Sequence, residues 1–251
     1  MNFRPLCGAL LAAMAAHGTP SQAQGCAEAA PETFAAPAPC AAPAPFAAHY
    51  EANWKSINVG TSDLKLERGA EPGSYLYTWT ITARGIFRLA YRNDVVQKSW
   101  LSMHDDHIRP DKYRAQEGSS SVSLDFDWDG KRARGTSESK PVDLHLHEAA
   151  QDVMSVQVEV MIDLKKGTLP KSFQIVDKDE AKEFLYAVDG KARIRTALGE
   201  LDTIVVSSRR AGGNRILQMW FAPALGFAPV QAERTRDGNL EFSMRIKRLQ
   251  R

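Results

Sequence analysis

Strict alternation of apolar and polar residues is the feature that most constrains this chain. From residue 240 to residue 247 every second side chain is apolar, namely Leu240, Phe242, Met244 and Ile246. From residue 74 to residue 84 one face collects Tyr75, Tyr77, Trp79 and Ile81. A period of two is typical of a strand with one buried face, because successive strand side chains point to opposite sides. The pattern therefore indicates a sheet rather than a helical bundle.

Similar segments recur along most of the chain. They span residues 46–54, 59–67, 74–84, 86–92, 95–102, 121–128, 131–137, 142–147, 172–177, 183–188, 191–196, 202–209, 214–221, 229–235 and 240–247. The pairs Asp129–Gly130, Asp189–Gly190 and Asp237–Gly238 are typical of two-residue hairpin turns, because both residue types tolerate positive φ. Strands joined by such turns are antiparallel neighbours.

One segment has a different period. Between Asp152 and Leu164 the apolar residues follow helical spacing, with Asp152 suited to the N-cap and Gly167 to the stop. The valines at 156, 158 and 160 also fit a strand, but we favour a single helix. The expected fold is mainly β, a single antiparallel curved sheet or partly open β-barrel of about 12 strands with one helix packed across it.

The N-terminal residues 1–25 predict a secretory signal peptide. A positively charged start precedes an apolar run at residues 6–16, and the small residues Ser21 and Ala23 suit the cleavage site. Residues 26–45 are rich in alanine and proline, which predicts an extended tether before a β-rich domain at 46–251. The expected location is the periplasm.

Two cysteines remain after the predicted leader, Cys26 and Cys40. An oxidising compartment permits a disulfide between them, which would stiffen the tether and contribute little to the core. Cys26 follows Gly25, as the lipidated cysteine of a lipoprotein does, but Ala23 and Gln24 depart from the usual pattern. We therefore expect no lipid anchor at Cys26.

Charge and motifs exclude several classes of function. The formal net charge of +2 argues against a nucleic-acid partner, since such proteins carry a concentrated basic excess. No apolar run reaches the roughly 18 residues of a transmembrane helix. The sequence has no G-x-S-x-G, P-loop or H-E-x-x-H motif, so neither a cofactor nor a familiar catalytic centre is predicted.

An ordered set of short motifs resembles a known family. The segments are Tyr50, Trp54 and Gly60 near the start, and then residues 108–113, 124–128, 151–155, 187–190, 198–203, 219–223 and 229–230. In this order they resemble the bacterial domain-of-unknown-function family 3108, a group of exported envelope proteins. The resemblance implies a β-rich periplasmic or cell-envelope protein and carries over no catalytic residues.

Aromatic side chains in the predicted strands are the main candidate for ligand binding. They are Tyr75, Tyr77, Trp79, Trp100 and Trp220. In a closed small barrel these rings fill the interior, whereas in an open one they line a cleft for an acyl chain or a sugar. Arg209, Arg210 and Arg215 flank a glycine-rich hairpin tip, where they suit anionic lipid headgroups or acidic glycan, or simply form a solvated end.

Two polar segments carry candidate metal chemistry. Asp143, His145 and His147 project from one face of a predicted strand, and imidazoles two residues apart can reach the same transition metal. A solvent-facing polar edge is the alternative. The acidic residues before Asp129–Gly130 resemble a calcium loop, but a hairpin pairing Asp127 with Arg132 across the turn explains them better.

Three functional hypotheses follow. The first is an exported, non-enzymatic protein that binds a lipid, lipidated or glycan partner in a concave sheet. The second is a metal-assisted hydrolase that uses the Asp and His segments. The third is a structural or interaction module that docks another envelope protein by a sheet edge.

Overall fold

Fifteen strands form one sheet in the computed structural model, which describes residues 42–90 and 93–251. The strands are β1 Phe46–Trp54, β2 Ile57–Arg68, β3 Ser74–Ala83, β4 Val95–His104, β5 His107–Glu117, β6 Ser120–Asp127, β7 Arg132–Ser137, β8 Lys140–His145, β9 Gln151–Asp152, β10 Ser172–Asp177, β11 Glu180–Thr196, β12 Gly199–Arg210, β13 Arg215–Ala222, β14 Ala228–Arg236 and β15 Asn239–Gln250. The helices are α1 Phe87–Ala90 and α2 Ser155–Lys166, with a 3₁₀ turn at Pro223–Leu225. The predicted signal peptide, most of the tether, Cys26 and Cys40 lie outside the described residues.

The sheet is one long antiparallel meander whose two halves meet at β1 and β15. Its order is β8-β7-β6-β5-β4-β3-β2-β1-β15-β14-β13-β12-β11-β10-β9, and β9 alone runs parallel to its neighbour. The order ends at β8 and β9, so the sheet is curved but not closed. The expectation of an open, curved, mainly β fold is confirmed, with 15 strands instead of about 12. Within the described residues no helix is long and apolar enough to cross a bilayer.

Helix α2 and the alternating strand side chains form the core. Tyr77 is fully buried, and its hydroxyl donates to Gln157 Oε1 on α2 at 3.2 Å. The fully buried Tyr50 hydroxyl donates to the Pro229 carbonyl at 2.6 Å, which ties β1 to β14. Nearly the whole surface of α2 is buried, and the helix ends at Gly167, whose φ of +78° is readily adopted by glycine. The predicted helix and its stop are confirmed, but the predicted N-cap is wrong: the helix begins at Ser155 with Met154 as its N-cap, and Asp152 lies in strand β9.

The predicted hairpin at Asp189–Gly190 is wrong. Both residues lie inside the continuous strand β11, and the pairing with β12 shifts register between Val188 and Gly190. Asp189 does not adopt the positive φ that a two-residue hairpin turn requires, while Gly190 has φ +131°. The Asp-Gly pair therefore marks a β-bulge, and the chain reverses at residues 197–198 instead.

Two further boundaries differ from the prediction. A strand was expected at residues 86–92. In residues 86–90, the part of this segment that the structure describes, Phe87–Ala90 form a turn of helix instead. No strand was predicted between residues 102 and 121, where the structure has β5. Its ladder shifts register between Trp100 and Leu101, so Pro110 lies beside a bulge, where a missing N–H is tolerated.

The hairpin of β6 and β7 has the predicted register. Asp125 lies opposite Arg134, and Asp127 lies opposite Arg132. The ion pairs are nevertheless diagonal, because Asp127 Oδ2 lies 3.3 Å from Arg134 Nη1. Asp125 instead accepts a 2.8 Å bond from Arg114 on β5. Ion pairs between neighbouring strands therefore stabilise this face, but they do not join the residues that lie directly opposite each other in β6 and β7.

Candidate functional site

A groove runs across the concave face of the sheet. It consists of three adjoining cavities with volumes of about 310, 400 and 530 Å³. The 310 Å³ cavity is central, since it shares Trp79 and Phe242 with the 400 Å³ cavity, and Leu217 and Met219 with the 530 Å³ cavity. Arg234 lines all three, so the cavities lie side by side, and together they are called the groove.

Strand alternation explains why the groove has an apolar floor. On β13 the side chains of Leu217 and Met219 face the groove, whereas Ile216 between them is 39% exposed and lines none of the three cavities. On β15 Phe242 and Met244 line the central cavity in the same way. Apolar walls of this kind favour an apolar ligand, because each square ångström removed from water stabilises the complex by about 25 cal/mol.

Arginines collect at the end of the groove beside the β12–β13 turn. Arg209, Arg210 and Arg215 line the 530 Å³ cavity together with Arg234. Glu241 Oε2 lies 3.0 Å from Arg215 Nε and 3.2 Å from Arg234 Nε, and these cations lower the pKa of Glu241. Within residues 42–90 and 93–251, Arg209 and Arg210 have no carboxylate within 4.0 Å. This end therefore carries uncompensated positive charge.

Acidic groups line the central cavity. Glu117, Glu138 and Asp177 all contribute to its wall. Burial raises the pKa of Asp177, with a smaller opposing effect of Lys178. The groove is thus electrically asymmetric, with acidic groups near its middle and arginines at one end. Lys178 and Arg234 also line the central cavity, so its acidic groups are partly compensated. A negatively charged group on a ligand is favoured most at the arginine end, where four arginines line one cavity.

The predicted aromatic ligand site divides into three environments. Only Trp79 lines the groove, with its indole N–H donating to Ser62 Oγ at 2.6 Å. Tyr75 and Tyr77 are buried in the packed core and line none of the three cavities. Trp100 lies opposite Leu76, on the other face from the buried Tyr75–Leu101 pair.

Trp220 lies away from the groove as well. It alternates on β13 with the buried residues Met219 and Phe221, and it pairs with Val205 on β12. It is partly buried there but lines none of the three cavities. The structure therefore does not bring the five predicted rings together at one site.

The predicted metal ligands occupy the edge strand β8 and the residues after it. His145 and His147 have ring centroids 6.4 Å apart. Asp143 accepts a 2.7 Å bond from Arg132 Nε, and Arg134 Nε lies 3.4 Å away, so these cations lower the pKa of Asp143. A metal at these residues stays a prediction, and it would have to compete with two guanidinium groups for the carboxylate.

Sequence reasoning missed most of the groove and one polar cluster. Leu217, Met219 and Phe242 were recognised only as strand residues, although their alternation already placed them on one face. Glu159 and Asp163 were also missed. These acidic residues lie four positions apart in a mostly apolar helical segment, and that spacing places them on one side of α2.

Comparisons with known proteins give the chain a family and no activity. Two crystal structures show an overall likeness. One is a candidate exported protein of Bacteroides fragilis with a YmcC-like fold, at 9% identity and a TM-score of 0.35. The other is a candidate lipoprotein of Parabacteroides distasonis, at 10% identity and a TM-score of 0.33. Each match covers 82% of this chain and 95% of the other.

Among curated proteins none matches the chain. A family model does match, and it spans residues 49–245. That range runs from β1 to β15 and includes every strand that lines the groove. It also contains all of the short motifs on which the resemblance was based. The chain therefore belongs to the family described as proteins of unknown function, DUF3108.

Proposed function

We propose that this protein binds an anionic amphiphile, a lipid or a lipidated partner, in the groove of its concave sheet. The observation that carries the proposal is the combination of apolar side chains on the floor of adjoining cavities with arginines at one end. An acyl chain would remove the floor from water, and an anionic headgroup would lie beside Arg209 and Arg210. No bond in the ligand needs to be made or broken, so the mechanism is passive binding.

The apolar lining favours an acyl chain over a glycan. Sugars are bound by hydrogen-bonding side chains and exposed aromatic faces. Of the five predicted rings, Trp79 alone lines the groove, and its N–H is already bonded to Ser62. Five leucine, methionine and phenylalanine side chains form an apolar part of the wall that packs well against methylene groups. Polar side chains, among them Gln97, Gln116 and Gln157, lie beside this part.

The other end of the groove offers an entrance for such a ligand. Trp54 and Phe87 line the 400 Å³ cavity there. Close by in the chain, Ile57, Ile86 and Leu89 are 59%, 76% and 77% exposed. Clustered exposed apolar residues often mark contacts with lipid or protein. We therefore propose that this end contacts the membrane or partner that supplies the ligand, and that the bound ligand has its acyl tail at this end and its headgroup beside the arginines.

We further propose that the protein works outside the cytoplasm. The support is the N-terminal pattern, a charged start, a short apolar run and small residues before the predicted cleavage site. An exported lipid-binding protein would meet its ligand at the membranes that enclose the periplasm. Fractionation of cells that express the full chain tests this location directly.

Docking by a sheet edge has less support. The edge strand β8 contains Lys140, Pro141 and Asp143. Proline removes a ladder donor and charged side chains oppose pairing, so these residues protect an exposed edge from strand addition. The interaction-module hypothesis would therefore need another surface.

Filling the groove should abolish ligand binding. We expect Leu217→Trp to weaken binding of a fluorescent fatty acid at least about tenfold, because the indole takes volume from both the central and the 530 Å³ cavities. The matched control is Ile216→Trp, on the adjacent residue and the opposite face. Fluorescence titration measures both. Equal affinities for the two variants would contradict the groove as the binding site.

The arginine end should select headgroup charge. We expect Arg209→Gln/Arg210→Gln to weaken binding of phosphatidylglycerol by about tenfold or more, at roughly 1 kcal/mol for each lost charge. Binding of a neutral diacylglycerol should change little. Arg248→Gln is the control, because Arg248 is exposed and lines none of the three cavities. If Arg248→Gln causes the same loss, net charge and not position determines affinity.

A further inference from the structure

A polar cluster lies where α2 packs against the β4–β5 hairpin, apart from the groove. His107 begins β5, and Glu159 and Asp163 lie one turn apart on α2. One ligand atom from each of these three residues lies within 4.8 Å of the other two. The side chains of Glu159 and Asp163 are each only 3% exposed, while that of His107 is 58% exposed. None of the three lines the groove.

Negative charge in this cluster is only partly compensated. Lys166 Nζ lies 3.0 Å from Asp163 Oδ1 and 3.3 Å from Asp106 Oδ2, so one ammonium serves two carboxylates. Glu159 has only the imidazole of His107 as an ionic partner within 4.0 Å among the described residues. Burial, and then the charge of Glu159, raise the pKa of Asp163 to about 6. Two neighbouring buried carboxylates favour the uptake of a cation.

One carboxylate oxygen is left without a partner. Asp163 Oδ1 is bonded to Lys166, but Asp163 Oδ2 is buried and accepts no hydrogen bond. A buried acceptor without a donor costs about 1–3 kcal/mol. Since Lys166 occupies the other oxygen, Asp163 Oδ2 can accept a metal ion while the lysine contact stays in place.

The remaining hydrogen bonds orient the other two ligand atoms. The Ile108 N–H donates to Glu159 Oε2 at 2.7 Å, which leaves Oε1 facing His107 Nδ1 at 2.7 Å. On the far side of the ring, His107 Nε2 lies 3.1 Å from Asp106 Oδ1. Metal-bound histidines usually donate their second N–H to a carboxylate in this way, which fixes the tautomer and the ring.

We propose that His107 Nδ1, Glu159 Oε1 and Asp163 Oδ2 bind one divalent transition-metal ion. Imidazole with two carboxylates suits Zn²⁺, whereas Ca²⁺ prefers oxygen ligands alone. The ion would replace the proton between His107 Nδ1 and Glu159 Oε1, and that proton would leave to solvent. Because the exposed ring of His107 faces solvent, the ion has a path in. The bound metal would join α2 to the β4–β5 hairpin.

Zinc titration of the full chain tests the proposal. We expect chelator-treated protein to bind one Zn²⁺ and to melt at a higher temperature with Zn²⁺ present, because the ion binds the folded state. His107→Ala and Asp163→Asn should each weaken Zn²⁺ binding at least about tenfold. His107→Ala also removes the ionic partner of the buried Glu159 and is expected to lower stability. Asp163→Asn keeps the side-chain shape and is therefore the deciding variant.

The control is His145→Asn/His147→Asn, which removes the other histidine pair and should leave Zn²⁺ binding unchanged. Calorimetry gives the stoichiometry and affinity for each variant. The proposal is overturned if the wild-type chain binds no Zn²⁺ in the micromolar range. It is equally overturned if binding survives both site variants and disappears in the control, since the ion then lies at β8.

Discussion

Replacing Gly60 by alanine is expected to lower the free energy of unfolding by at least about 3 kcal/mol. A Cβ at this position would lie 2.0 Å from the carbonyl oxygen of Thr82 on the neighbouring strand. That atom belongs to the backbone of a central strand, so it cannot rotate away. Gly60 also has φ +155°, which side-chain-bearing residues rarely adopt.

A bulge explains why the strands approach so closely there. Ala52 pairs with Gly60 and Asn53 pairs with Asn58, so Val59 is the extra residue on β2. Glycine at such a bulge allows the next strand to come near. Urea denaturation followed by tryptophan fluorescence measures the change as a lower transition midpoint.

The control for Gly60→Ala is Gly118→Ala in the β5–β6 turn. Gly118 also has positive φ, +59°, but a Cβ there would meet nothing within 4 Å. The only cost is that of placing alanine at positive φ, so we expect the free energy of unfolding to fall by about 1 kcal/mol. Gly135→Ala should resemble Gly60→Ala, because its Cβ would lie 1.9 Å from the Ser123 carbonyl oxygen. Equal losses at Gly60 and Gly118 would refute the steric explanation.

The variant Asp152→Asn is expected to be more stable than the wild-type protein at pH 8, by up to about 3 kcal/mol. Asp152 is fully buried, and burial raises its pKa from 3.8 to about 6 against opposing hydrogen bonds from Ser99 and the backbone. Among the described residues it has no cationic partner within 4.0 Å. The folded state therefore favours the protonated carboxyl.

The sign of the pH dependence follows from that raised pKa. The folded protein binds this proton more tightly than the unfolded chain, so the contribution of Asp152 is complete below about pH 4 and is lost as the pH rises to about 6. Asparagine does not titrate. The difference in unfolding free energy between Asp152→Asn and wild type should therefore be small at pH 4 and largest above pH 6.

Asp152→Ala separates the charge from the hydrogen bonds. Asp152 Oδ1 accepts the N–H groups of Met154 and Ser155 at 2.7 and 2.8 Å, just before α2 begins. Asparagine keeps this acceptor, whereas alanine leaves two buried donors unpaired. We expect Asp152→Ala to be less stable than Asp152→Asn at every pH, by about 2 kcal/mol or more. Parallel pH profiles for wild type and Asp152→Asn would contradict the raised pKa.

Local patterns predicted much of the sheet. The bounds of β1 and β10 were predicted to the residue, because apolar side chains largely alternate there. The β6–β7 register also followed from one turn, Asp129–Gly130. At Asp189–Gly190 the same pair of residue types gave a bulge. In the turn after β6 the positive φ falls on Lys131, whereas in the bulge of β11 it falls on Gly190 itself. The residue types alone did not distinguish the two cases, and pairing with β12 over its length decided for the bulge.

The candidate site was less predictable than the strands. Alternation placed Trp79 on the inner face correctly, but it did not distinguish a ring that lines the groove from Tyr77, which is fully buried under α2. Trp100 and Trp220 follow equally regular patterns and lie on the opposite face. The sequence contains the period of each strand but not which of its two faces points inward.

The order of residues by itself determined the period of each strand, the stop of α2 at Gly167 and the positions of most turns, because these depend on neighbours along the chain. The tertiary structure alone decided how far the sheet curls and where α2 leaves the concave face unfilled. It also decided that His107, nearly fifty residues before α2 in the chain, meets Glu159 and Asp163. Such meetings depend on the packing of distant segments, to which local preferences contribute no information.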